Sequence, residues 1–226
     1  MTDRLRLVVA TRNQNKIAEL EGLLAGLGLD LVSADACGAP DVDETGATLA
    51  ENAALKAESA FRATGLLCLA DDTGLCVRAL GGAPGVRSAR FAGPKASYED
   101  NRALLLERMR GLDPSERDAM FVTCLALVVP SHLDHAGSEG RHVARDDGQS
   151  GALHWVEGRA KGRILEAPRG AGTFGYDPVF FVPELDKTFA ELTRDEKNAV
   201  SHRGRAYRAL REHIVRVLGR SPARSG

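Results

Sequence analysis

The chain has 226 residues, of which 43% are hydrophobic and 27% charged, and its formal net charge is -1. That composition is ordinary for a globular protein, and the length suits one large domain or two small ones. The near-zero charge excludes an overall basic field for nucleic acid, so an anionic ligand needs a local cluster of Lys and Arg.

Residues 5–10 predict a short strand. They lead into TRNQNK (residues 11–16) and then a helix, on which Ile17, Leu20, Leu24 and Leu27 recur at helical spacing and Gly28 is placed to end the run. Such a strand-to-helix turn aims backbone N–H groups and the positive end of the helix dipole at one spot, which suits phosphate. Lys16 adds a full charge there. For the hexapeptide alone, plain capping by Asn13 or Asn15 is the simpler reading. Residues 29–33 predict a second strand. The acidic loop 41–46 follows, and Glu44 within it is either a metal carboxylate or a solvated acid. Thr48 and Glu51 form a capping box for a helix with the apolar stripe Leu49, Ala53, Ala57, Ala60 and Phe61, which Gly65 ends. Lys56 on this helix faces either solvent or a site.

The apolar run 66–70 predicts a buried strand that stops at a turn made by Asp71, Asp72, Thr73 and Gly74. Carboxylates at a strand exit lie where open α/β folds bind ligands. Neighbours on a strand point to opposite faces, so the two aspartates cannot both face a ligand unless the turn re-aims one; Asp72 is taken as the metal or water carboxylate, and Asp71 as a structural partner or a more distant helper. The competing reading is an acidic turn with no further role. Residues 81–85 form a tight Gly/Pro loop, and Arg90 is a candidate anion ligand. Residues 97–109 predict a helix with Ser97 and Asp100 as a capping pair, and residues 120–129 predict the longest strand. The polar segment 130–151 reads as an exposed hairpin loop with solvated His132, His135 and His142.

Residues 154–157 and 163–165 predict two more strands. Between residues 167 and 178 lies a Gly-rich loop. Its Phe174 and Tyr176 are either core aromatics or a stacking platform, with Asp177 placed to read a base edge. Lys197, His202 and Arg203 form either a cationic cluster or a solvated helix start. Ser201 is placed to cap the last helix, whose apolar face is Ala206, Leu210, Ile214 and Val217. Cys37, Cys68, Cys76 and Cys124 are far apart with no CxxC pair, which favours free thiols over disulfides or zinc. The expected organisation is one domain over residues 1–218 and a disordered tail over 219–226. No apolar run approaches the roughly 20 residues of a membrane span. The strand-like N-terminus shows no signal peptide, so the expectation is a cytoplasmic protein with no membrane or nucleic-acid partner.

Together these pieces are equipment for a nucleoside triphosphate with Mg²⁺, which takes one or two carboxylates plus substrate phosphates. No GxxxxGK[ST] run is present, so this is not a P-loop protein. TRNQNK resembles the TxNxxK phosphate motif of the inosine triphosphate pyrophosphatase family. DETGATLAENAALKA resembles that family's acidic loop and helix, and ADDTGLCVRALGGAPGVRSARFAG its signature block. PRGAGTFGYDPVFF, KTFAEL and EKNAVSHRGRA resemble the remaining blocks, in the family's order. The resemblance implies an α/β fold, an elongated mixed sheet flanked by helices, with two lobes and a central substrate cleft, assembled as a homodimer. It implies Mg²⁺-dependent hydrolysis of ITP, dITP and XTP to the monophosphate and pyrophosphate, which cleanses the nucleotide pool.

Position by position, the resemblance gives Thr11, Asn13 and Lys16 to the phosphates and counts the rest of that run, Arg12, Gln14 and Asn15, as substrate-binding. Glu44 and Asp72 become the metal carboxylates, with Asp72 also activating water. Thr73 contacts substrate where the family usually has Ser. Phe174, Gly175, Tyr176 and Asp177 hold the base, and Lys197, His202 and Arg203 complete the pocket. Thr173 stands where Gly is common, and Arg87 where Tyr is frequent. Two rivals are a pyrophosphatase of related fold that prefers pyrimidine or modified nucleotides, and a non-catalytic nucleotide-binding module.

Overall fold

The computed structural model describes residues 4–11, 14–136 and 140–219, with Gln14 and Asn15 as backbone only. The expectation for Arg12, for Asn13 and for most of the tail falls outside these residues. The described chain has β1 (Leu5–Val9), α1 (Gln14–Leu24), β2 (Leu29–Ser33), α2 (Leu49–Thr64) and β3 (Leu67–Val77) in its first third. Then come α3 (Tyr98–Arg108), β4 (Asp118–Pro130), β5 (Arg141–Ala144) and β6 (Ser150–Ile164). β7 (Phe180–Val182), β8 (Lys187–Thr188), α4 (Arg194–Val200) and α5 (His202–Val217) complete it.

Hydrogen bonding orders the strands β2-β1-β3-β4-β6-β7-β8, with β5 on β6. β1 runs parallel to β2 and to β3, whereas β6 is antiparallel to β5 and to β7. This is the mixed α/β sheet that the motifs implied. None of the described helices is long and apolar enough to cross a membrane.

The chain forms two compact units. Unit 1 takes residues 1–72, 124–157 and 206–226. Its core packs Leu7 and Val9 of β1, Leu67 and Leu69 of β3 and Leu125 and Leu127 of β4 with α1 and α5. The α5 face is Ala206, Leu210, Ile214 and Val217, as the helical spacing requires. Unit 2 takes residues 73–123 and 158–205. Its core gathers Leu75, Leu105, Met109, Phe121, Ile164, Tyr176, Phe180 and Phe189. Buried Arg117 binds this unit together by donating to the carbonyls of Met109 (2.8 Å), Ile164 (2.7 Å) and Leu165 (3.0 Å).

Local signals held where they were local. Thr48 and Glu51 make the predicted capping box on α2, Ser97 and Asp100 make one on α3, and left-handed Gly65 ends α2. Thr193 and Glu196 make another on α4, a T-x-x-E signal that the sequence reading passed over. All four cysteines are free, with Cys68 and Cys124 buried.

Four expectations need correction. Asp71 to Gly74 do not form a turn, because all four residues lie inside β3. The strand resumes its apolar pattern at Leu75 and Val77, which unit 2 buries. The predicted strands 154–157 and 163–165 are one strand, β6. Its charged residues between them, Glu157, Arg159 and Lys161, are exposed and alternate with the inward Gly158 and Ala160. α1 ends at Leu24 rather than near Gly28, since Gly26 already takes a left-handed φ of 80°. Segment 130–151 is only partly loop: β5 pairs residues 141–144 with β6, while His132, His135 and His142 are exposed as expected.

Candidate active site

Parallel pairing of β1 with β3 sets Val9 opposite Leu69. Ala10, just past β1, donates its N–H to the Leu69 carbonyl at 2.7 Å, two residues before Asp71. Lys16, in the first turn of α1, places Nζ 2.6 Å from Asp71 Oδ2. Asp71 is 9% exposed, so this charge pair is held largely out of water.

Adjacent strand residues face opposite ways, and Asp72 meets a different helix. Asn52 of α2 donates through Nδ2 to Asp72 Oδ2 (3.2 Å) and accepts from the Gly46 N–H through Oδ1 (2.7 Å). One fully buried amide thus ties the acidic loop to the carboxylate in β3. Gly46 is required there: a Cβ on it would lie 2.7 Å from Asn52 Oδ1 and 2.8 Å from Glu51 Cβ.

One helical turn beyond Asn52, Lys56 reaches the same region. Its Nζ lies 2.9 Å from Glu44 Oε1, 2.7 Å from the Asp71 carbonyl oxygen and 3.9 Å from Asp72 Oδ1. Sequence reasoning left the direction of Lys56 open and gave Asn52 no role. The available signal was their i, i+4 spacing on the helix that follows the acidic loop. Thr11, Lys16, Asp41, Glu44, Lys56 and Asp71 line a cavity of about 290 Å³ within unit 1. Two ammonium groups in a carboxylate-lined cavity can hold an oxyanion beside acids that manage protons.

Unit 2 arranges the other expected residues. Tyr176 is core: it is buried and its hydroxyl donates to the Ser88 carbonyl at 2.9 Å. Burial pushes its phenol well above the usual range. Ser88 in turn donates to the Gly85 carbonyl (2.6 Å) and accepts from the Leu75 N–H (2.8 Å). Phe174 is the opposite case, 49% exposed, with Tyr98 packed T-shaped against it at 5.1 Å between centroids.

Asp177 is buried and forms an ion pair with Lys197. Burial pushes its carboxyl up, and the nearby Lys197, Arg203 and Arg102 pull it back only in part. Lys197 Nζ also sits 5.7 Å from the Phe174 ring centroid. His202 is buried with its ring stacked on Phe121 at 4.6 Å. Ser201 caps α5 as expected, accepting from the Gly204 N–H at 3.1 Å. Arg203 keeps a buried Nε–H with no hydrogen-bond partner among the described residues. Thr73 pairs its hydroxyl with that of Thr123 at 2.8 Å.

The fold and unit 1 cavity define an α/β protein that sets lysines from two helices and carboxylates from a strand and an acidic loop around one cavity. The chain belongs to the Ham1 family, whose model matches residues 7–213. A dITP/XTP pyrophosphatase from Exiguobacterium sp. is 48% identical over 212 residues, covering 93% of this chain and 97% of that protein. One from Streptomyces coelicolor is 46% identical over 217 residues, covering 95% and 99%. A solved HAM1 protein from Coxiella burnetii superposes with a TM-score of 0.81 at 38% identity, covering 93% of this chain and 98% of that one. These matches bear out the resemblance carried by the motifs.

Proposed function

We propose that this protein hydrolyses dITP, XTP and ITP to the nucleoside monophosphate and pyrophosphate. The observation that carries this is the unit 1 cavity, where Lys16 and Lys56 meet Glu44 and Asp71 beside Asp72. Relatives of nearly equal length, named dITP/XTP pyrophosphatases, support the substrate class.

Mg²⁺ fits the residues present. Glu44 and Asp72 both approach the Lys56 ammonium, so a cation is already accommodated by this carboxylate pair. Among the described residues no three His, Cys, Asp or Glu side chains converge as a full metal cage. Mg²⁺ needs no such cage, because water and substrate phosphates complete its shell. Glu44 and Asp72 would hold the ion, and it would supply charge neutralisation on phosphate oxygens.

The chain's own residues do the rest. Lys16 fixes phosphate oxygens and so aligns the anhydride for attack by water at the α-phosphorus. Asp72 accepts the water's proton, and Asn52 holds that carboxylate's orientation. Lys56, beside the same acids, adds positive charge where negative charge develops.

In unit 2, the half-exposed Phe174 ring suits a base, and the buried Arg203 Nε–H suits an acceptor. ITP and XTP carry a 6-oxo acceptor where ATP carries an amino donor. A donor aimed at that position discriminates against ATP by leaving two donors facing each other. The same reading extends to Mg²⁺ dependence, a homodimer, a cytoplasmic setting and a role in clearing deaminated purines from the nucleotide pool.

The test is pyrophosphate release from ITP, XTP, dITP, GTP, ATP and dTTP, with and without Mg²⁺. Mg²⁺-dependent release led by ITP, XTP and dITP is the expected result. A flat or pyrimidine-led profile would overturn the base assignment, and binding of ITP without release would leave a nucleotide-binding module.

A further inference from the structure

Phe174 sits on a Gly-rich loop, between Thr173 and a Gly175 in the left-handed region at φ 50°. A loop of that composition has many conformations open to it unless something ties it down. The tie comes from α3. Arg102 Nη1 donates to the Thr173 carbonyl at 2.9 Å and to the Gly175 carbonyl at 2.7 Å. These are the two carbonyls that flank Phe174. Tyr98, one helical turn earlier on the same face of α3, packs against the Phe174 ring in a T-shaped arrangement with an interplanar angle of 61°.

Two charge-assisted hydrogen bonds and an aromatic contact therefore fix the backbone on both sides of Phe174 and hold its ring on one side. The ring nevertheless remains half exposed. An aromatic side chain held rigidly yet left open is the arrangement that lowers the ordering cost of stacking a flat ligand.

We propose that Arg102, with Tyr98, is a positioning residue that presets Phe174 as the stacking wall for the purine base. This rests on the triphosphate pyrophosphatase reading above. Arg102 lies outside the carboxylate chemistry of unit 1, so its effect falls on base binding and leaves the hydrolytic step alone.

The experiment measures KM and kcat for ITP with R102L, R102K and Y98A, and repeats R102L in an F174A background. R102L is expected to raise KM about tenfold with kcat changed less than about twofold, the signature of lost uniform binding. R102K, which keeps a charged donor, falls between R102L and the unsubstituted enzyme, and it carries the test if R102L fails to fold by circular dichroism. In the F174A background, R102L should cost less than about twofold, because the wall it positions is gone. Unchanged KM, a loss confined to kcat, or an equal penalty with and without Phe174 would each overturn the role. If the unsubstituted protein releases no pyrophosphate from ITP, the proposed function falls and this role with it. Normal turnover with an unaffected R102L overturns this role alone.

Discussion

Asp72 and Asp177 are both acids in polar company, yet their surroundings set them different tasks. Asp72 receives an amide hydrogen bond from Asn52 and faces an ammonium group. Asp72→Asn should fold normally and lose about 10²- to 10⁴-fold in turnover, read as pyrophosphate release. Asp177 is buried, and its raised pKa means the native state holds a proton more tightly than the unfolded chain. Its stabilising contribution is complete below the ordinary carboxylate value of about 3.9 and is lost as pH rises through the folded value. The melting temperature of Asp177→Asn should therefore gain on that of the unsubstituted protein as pH is raised through this window. A gap that narrows with rising pH would contradict the assignment. Sequence alone separated these roles poorly, because burial and partners are set by distant chain. Tyr176 and Phe174 lie two residues apart in one motif, but Tyr176 became core and Phe174 stayed open.

Elements were legible where their signals are short-range. The caps of α2 and α3 and the apolar face of α5 follow from residues within a few positions of each other. The course of β3 through Asp71–Gly74 was not legible, since only pairing with neighbouring strands outweighs the turn propensity of DDTG. The same holds for the polar middle of β6. The site shows the same division: Lys16 and Glu44 stand in readable motifs, whereas the directions of Asn52, Lys56 and Arg102 depend on packing between elements.

Two glycines test element placement directly. At Gly46 a methyl group would push on Asn52 and Glu51, so Gly46→Ala should displace the Glu44 loop and lower turnover more than stability. At Gly204 a Cβ would lie 1.9 Å from the Asn198 carbonyl oxygen. Gly204→Ala should thus force α4 and α5 to shift and cost about 1–3 kcal/mol by thermal unfolding. An unchanged melting temperature would show that the junction yields freely.

At the scale of the whole molecule, each unit is assembled from separate stretches of chain. The boundaries at 72/73, 123/124 and 157/158 fall inside β3, β4 and β6. Domain boundaries normally announce themselves as polar or Gly/Pro-rich linkers, and a boundary inside a strand has no such signature. That is why no linker was legible in the sequence, although the family resemblance implied two lobes. A fragment ending at residue 72 carries β1 and the first half of β3 but lacks the β4 leucines and the α5 face that complete its core. It should give no cooperative melting transition. Within the intact chain, Leu210→Ala removes a fully buried side chain of that face and should cost about 2–5 kcal/mol.

Lys56 supplies charge balance to the unit 1 acids from within the chain. Its ammonium acts as a tethered counter-ion for Glu44 and Asp72, so these acids need no outside cation to coexist in the folded chain. Under the proposed Mg²⁺ dependence, EDTA should stop pyrophosphate release while leaving the melting temperature within about a degree, a difference far smaller than the few degrees that 1 kcal/mol produces. A large fall in melting temperature would mean that the acids depend on added metal to fold. Enzyme stored in chelator is then resting rather than damaged, and turnover should resume when Mg²⁺ is returned.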